Sequence, residues 1–154
     1  MAETASRTSL RPVLERAIEE ARGRGSATVE AEHLLLALAA DGPPAVTVVL
    51  AEAGLDYEAT EAALREEHVQ SLAVAGIGPV DEERLVASPR QSRPGWGASA
   101  KAALKNAELG IGRTRGAERN LLIGLLQAEL GTVPRALAIA GVDRDALITR
   151  LRGI

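Results

Sequence analysis

Val29-Glu30-Ala31-Glu32-His33-Leu34-Leu35-Leu36-Ala37-Leu38-Ala39-Ala40 decides the fold. From Leu34 to Ala40 every side of a helical wheel is apolar. A helix of that kind has no face to offer water, so it belongs at the centre of a helical domain. The run is also far too short to span a bilayer. Asp41-Gly42-Pro43-Pro44 ends it, because proline lacks the N–H a helix interior needs. A third helix is expected from about Ala45 to Ala53, with Gly54 as its C-terminal cap. Asp56 caps a fourth, running to about Gln70. Upstream, Leu10, Val13, Leu14, Ala17, Ile18 and Ala21 form one apolar stripe at helical spacing. Ser9 is placed to cap that first helix, Pro12 sits in its first turn, and Gly23 and Gly25 stop it.

The same plan returns in the second half. Leu50, Gly54, Asp56 and Leu64 recur 87 positions later as Leu137, Gly141, Asp143 and Leu151. Leu34, Leu35 and Leu38 recur at the same shift as Leu121, Leu122 and Leu125, and Val46 as Val133. Leu14 and Ala17 match Leu104 and Ala107 at a shift of 90, so the second copy is shorter before its central helix. Thr132 and Pro134 restate the cap-then-proline start of a helix. The expectation is a single all-α domain over residues 1–154, with about eight helices in two tandem four-helix repeats. The first repeat covers 9–70, a linker 71–95 and the second repeat 96–154. The linker holds Gly76, Gly78, Pro79, Pro89, Pro94 and Gly95, with room for one helical turn near Glu82 to Val86. It reads as a surface tether. Trp96 opens the second copy and is expected to bury against that copy's first helix.

Composition supports this reading and excludes other classes. Of 154 residues, 46% are apolar and 25% charged, with one Trp, one Tyr and no Phe. That charged fraction is near the globular average, which argues against wholesale disorder. Ala and Leu favour helix, whereas strands draw on β-branched and aromatic residues. Without cysteine there are no disulfides and no thiolate chemistry. His33 and His68 are too few for a histidine-rich metal centre. A net charge of -3 gives no electrostatic reason to bind nucleic acid or an anionic membrane, and it argues against a helix-turn-helix DNA binder. The polar start Met1-Ala2-Glu3-Thr4-Ala5-Ser6-Arg7 is not a signal peptide, so the cytoplasm is the expected location. Gly110-Ile111-Gly112-Arg113-Thr114-Arg115-Gly116 is glycine-rich but lacks the lysine of a phosphate loop. No nucleophile, acid and base converge, so an enzyme is not expected, and no cofactor is implied.

With Val29 to Leu38, the following Val48-Val49-Leu50-Ala51-Glu52-Ala53-Gly54-Leu55-Asp56 and the duplicated order in view, the chain resembles the N-terminal (Clp repeat) domain of Clp-type ATPases. The resemblance covers nearly everything except the linker, and it represents a stand-alone form without the ATPase modules. It implies pseudo-twofold symmetry and a non-catalytic protein- or peptide-binding module, acting as adaptor or decoy for a separate Clp ATPase. The alternative it implies is a binder that sequesters Clp-directed cyclic peptide antibiotics. Relatives contact those peptides partly through aromatic residues, and this chain has no Phe.

The resemblance also implies partner-binding residues. In some members the Glu of this motif, once per copy, binds the guanidinium side of phosphorylated arginine. Glu32 matches that position, with His33 beside it; a carboxylate pairs bidentately with guanidinium. The plainer reading is that Glu32 complements the helix dipole and His33 bonds a nearby backbone group. In the second copy the shift of 87 puts Arg119 at the Glu position and Asn120 at the His position. A one-residue slip in the shortened turn would return Glu118 there. Both registers stay open. Arg113, Arg115 and Arg119, and the run Glu66-Glu67-His68, read as solvated charge.

Overall fold

In the computed structural model the apolar stripe Val13, Ala17, Ile18 and Ala21 buries one face of the first helix, α1 (Leu10–Gly23). The structure describes residues 10–76, 92–111 and 116–153. Ser9, the turn expected near Glu82 to Val86, Arg113 and Arg115 lie outside the described residues. Strand β1 (Thr28–Val29) follows, then the central helix α2 (Ala31–Asp41), α3 (Pro44–Glu52) and α4 (Tyr57–Val74). The second half repeats the order: strand β2 (Gly95–Trp96), α5 (Ala98–Ile111), α6 (Ala117–Gln127), α7 (Thr132–Ile139) and α8 (Arg144–Arg152). Eight helices are present among the described residues, so the chain is all-α as expected.

The two leucine-rich helices are the centre. α2 packs against α1, α3, α4, α5, α6 and α7, and α6 against α1, α2, α3, α5, α7 and α8. Leu34, Leu35, Leu36 and Leu38 from α2, and Leu121, Leu122, Leu125 and Leu126 from α6, are all below 2% exposed. Each fully buried leucine contributes roughly 1.5–3 kcal/mol of apolar transfer. No single helix among the described residues is long and apolar enough to cross a membrane.

The repeated Leu-Gly pattern has a specific cause. Gly54 and Gly141 have φ of 80° and 72°, the left-handed region that follows a helix end. Leu55 N–H bonds Leu50 O at 2.7 Å, and Val142 N–H bonds Leu137 O at 3.0 Å. Both are Schellman closures, and both seat the following apolar residue against the core. The next helices start alike. Asp56 accepts from Ala59 N–H at 2.8 Å, and Asp143 from Ala146 N–H at 3.1 Å.

Three local expectations are corrected. Thr132 is not a cap: Gly131 holds that position at φ 114°, and Thr132 is the first helical residue. α4 continues past Gln70 to Val74. Glu67 is not solvated but buried at 4%, while Glu66 and His68 are exposed as expected. Its carboxylate accepts from Arg135 Nε across the repeats at 2.8 Å and from Ser71 Oγ at 2.6 Å. Trp96 is half-buried against the core, and its stretch also pairs in parallel with the first repeat: Thr28 with Gly95, Val29 with Trp96.

A second polar cluster ties α4 to α1. Glu20, 8% exposed, takes Tyr57 Oη at 2.9 Å, Arg16 Nε at 3.0 Å and an Arg24 nitrogen at 3.2 Å. Arg24 also reaches Glu61 at 3.1 Å. A buried carboxylate is tolerated because these donors replace its hydration.

Leu35→Asp will abolish the cooperative thermal transition, because it buries a charge with no partner. Val48→Asp, at a residue 51% exposed, will shift the midpoint by no more than about 2 °C. Calorimetry of both variants checks the assignment, and a normal melt for Leu35→Asp contradicts a central α2.

Candidate functional site

The entry to α2 is built by residues from both repeats. Glu30 occupies the cap position with extended backbone. Its N–H donates to His33 Nδ1 at 2.9 Å. Ala31 N–H donates to Ser99 Oγ, 68 residues away, at 2.8 Å. The Glu30 carboxylate takes Thr28 Oγ1 at 2.9 Å on one oxygen. Ser99 N–H and the Ser99 hydroxyl donate to the other. Gly97 makes this clasp feasible, since a Cβ there would overlap the Glu30 carboxylate.

His33 is 4% exposed, and burial, with the nearby Arg24 cation, lowers its pKa to about 4. Its Nδ1 is an acceptor, so the neutral ring carries its proton on Nε2. His33 is therefore a helix-start fastener, and the backbone-bonding reading describes it. Glu32, the residue before it, is half-buried. Burial raises its pKa; Glu30 and Glu67 push the same way and Arg135 opposes them. No ion pair reaches it among the described residues.

Glu32 lines a cavity of about 360 Å³ between α2, α5, α6 and α7. Glu30, Ser99, Asn106, Thr132 and Arg135 complete its polar part, and Ala102, Ala103, Leu125, Ala128 and Val133 form an apolar wall. Leu130, 91% exposed, stands at its edge. The volume is within the range of small-ligand pockets. The Ser99 hydroxyl is engaged by Glu30 and Ala31, so it serves the clasp.

The four site residues named from the sequence do not converge. Glu32 lines this cavity; His33, Glu118 and Arg119 do not. In α6, Asn120, Leu121, Leu122, Gly124 and Leu125 are buried, as His33, Leu34, Leu35, Ala37 and Leu38 are in α2. Arg119 is half-buried, as Glu32 is, and Glu118 is buried one residue earlier. The core register thus keeps the shift of 87 and sets Arg119, not Glu118, at the counterpart of Glu32. Reading from the sequence missed Ser99, Arg135 and Leu130. They lie about 70 to 100 residues from Glu32 along the chain, beyond the reach of any periodic signal.

The family model for the Clp repeat (R) N-terminal domain matches residues 7–109. The Hsp104 N-terminal domain from Candida albicans is similar in fold, with a TM-score of 0.60 at 14% identity over 93% of this chain and 86% of that one. So is the N-terminal domain of the caseinolytic protease associated chaperone ClpD from Arabidopsis thaliana, with a TM-score of 0.63 at 18% identity over 94% and 90%. No match is found among curated proteins.

The His33 geometry sets a pH dependence. Its folded pKa lies below the ordinary value of 6.5. The unfolded chain therefore binds a proton that the folded chain refuses, and stability falls as pH drops from 6.5 toward 4, by about 3 kcal/mol in all. His33→Asn installs the residue that the second copy carries at Asn120 and cannot titrate. Urea unfolding from pH 7 to pH 4 will show a steeper stability loss for the wild type than for the variant. Parallel curves contradict a buried neutral His33.

Proposed function

Because this chain belongs to the Clp repeat (R) N-terminal domain family, we propose that it receives protein or peptide segments in the Glu32 cavity and acts as adaptor or decoy for a separate Clp ATPase. The family and the fold support the coarser statement, a chaperone-associated protein-binding module. The cavity supports the finer one. Residues of both repeats line it, and it offers an apolar wall together with a half-buried carboxylate. A peptide side chain with a carbon stem and a polar head meets both needs, and a mostly preformed pocket with few polar groups is the usual form of a recognition site.

This reading places the protein in the cytoplasm, with a Clp ATPase as its physical partner. The cyclic-peptide alternative has less support, since none of the residues lining the cavity is aromatic. Arginine-phosphorylated segments belong to the same reading only if the cavity tolerates a phosphate.

Ala102 lines the cavity yet is itself exposed, so Ala102→Trp fills the space without entering the core. The variant will melt within about 2 °C of the wild type and bind a fluorescently labelled unfolded protein at least tenfold more weakly. Equal affinity removes the cavity from the mechanism. In a reconstituted Clp protease assay, added chain will change the degradation rate of that substrate: faster for an adaptor, slower for a decoy. An unchanged rate contradicts both.

A further inference from the structure

We propose that the outward face of α3 is the seat of an amphipathic helix from a partner protein, laid antiparallel to α3 with an uncharged aliphatic residue over Val48. The face is apolar and open. Pro44, Ala45, Val48 and Ala51 stand at helical spacing and are all exposed, Val48 at 51%. Val46, Val49 and Leu50, on the other side of the helix, are buried. None of the α3 residues lines the Glu32 cavity, so this surface is separate from the peptide-receiving one.

The duplication shows what covers such a face. α7 is the counterpart of α3 in the second repeat, and within this chain a helix lies on it: α4 packs against α7. Glu67 of α4 bonds Arg135 of α7 at 2.8 Å. The equivalent crossing, α8 on α3, carries the Glu52–Arg150 pair. Moved by the shift of 87, that pair falls on Ile139 and Ala63. Four residues back along α4 thus match four residues forward along α7, so the covering helix runs antiparallel. α4 has 18 residues and α8 has nine. α8 therefore reaches α3 at its Glu52 end, and the stretch of α4 from Glu67 to Val74 has no counterpart among the described residues. Exposure records the difference. Gly131 and Thr132 are half-buried at the start of α7, whereas their counterparts Pro44 and Ala45 are exposed at the start of α3.

The chemistry of the seat differs from that of α7 at its centre. Arg135, which pairs with the buried Glu67, has Val48 as its counterpart. A carboxylate laid over Val48 would lose its hydration with no guanidinium to replace it, whereas an aliphatic side chain gains by burial. The partner helix is therefore one whose inner face is aliphatic where α4 carries Glu67. One such helix binds per chain, because the matching face of α7 already holds α4.

NMR titration of the full chain with two helical peptides tests this. Both carry residues 66–74 of α4, locked by a lactam bridge between Glu66 and Gln70→Lys, two positions exposed on α4. One keeps Glu67 and the other carries Glu67→Ile. The isoleucine peptide will bind at 1:1, shift the backbone amides of α3, and bind at least tenfold more tightly than the glutamate peptide. Val48→Asp, whose melt stays close to that of the wild type, will weaken it at least tenfold. Val48→Arg, which installs the residue that α7 carries, will reverse the preference between the two peptides. Absent shifts in α3, equal affinities for the two peptides, or a preference that Val48→Arg leaves intact overturn the proposal. Shifts confined to residues lining the Glu32 cavity overturn it while supporting the peptide-receiving cavity. Sedimentation of the wild type as a dimer that Val48→Asp turns into a monomer also overturns it, and gives the face to a second copy of the chain.

Discussion

The constraint from which the structure follows is the mutual burial of α2 and α6. Each is apolar on too many sides to be covered by its own neighbours alone. Eight of the twelve largest fully buried side chains are leucines from these two helices. Neither repeat could hide its central helix unaided, so the copies must meet. α1 and α5 then lie against them as amphipathic covers, and α3, α4, α7 and α8 close the remaining faces.

Where two apolar rods meet, position along the seam is weakly specified by hydrophobic contact, which has no direction. Polar contacts between the repeats supply that direction. Val29 pairs with Trp96, Ala31 N–H with Ser99, Glu67 with Arg135 and Glu52 with Arg150. The buried Glu67 pair and the Ser99 clasp matter most, because each would leave a desolvated polar group unpartnered if the halves slid. The exposed Glu52–Arg150 pair contributes little. The cavity is a by-product of the same contacts: Ser99 and Arg135 are brought to Glu32 because they hold the seam.

The duplication is imperfect, and its imperfections bear on function. His33 and Asn120 both occupy the buried inner position of the helix start, one titratable and one not. Glu32 and Arg119 occupy the half-buried outer one with opposite charge. Equal packing demands preserved the apolar positions at a shift of 87, while the outward positions diverged, since solvent places few constraints on them. A module with two equivalent halves in its core thus has non-equivalent surfaces.

Much of the fold was legible along the chain, because the signals that carry it are local. All-round apolarity marked α2 as central, Gly54 and Gly141 marked helix ends, and Asp56 and Asp143 marked helix starts; each depends on neighbours within about five residues. Glu32 was singled out the same way, from its place in a motif. What the chain could not show is which distant residues stand beside it. The burial of Glu67, the parallel pairing at Trp96 and the commitment of Ser99 to the start of α2 all depend on residues some 70 positions apart. The sequence alone determined the elements and their central pair; the tertiary structure decided the charge balance of the cavity, because electrostatics acts through space and takes no account of chain order.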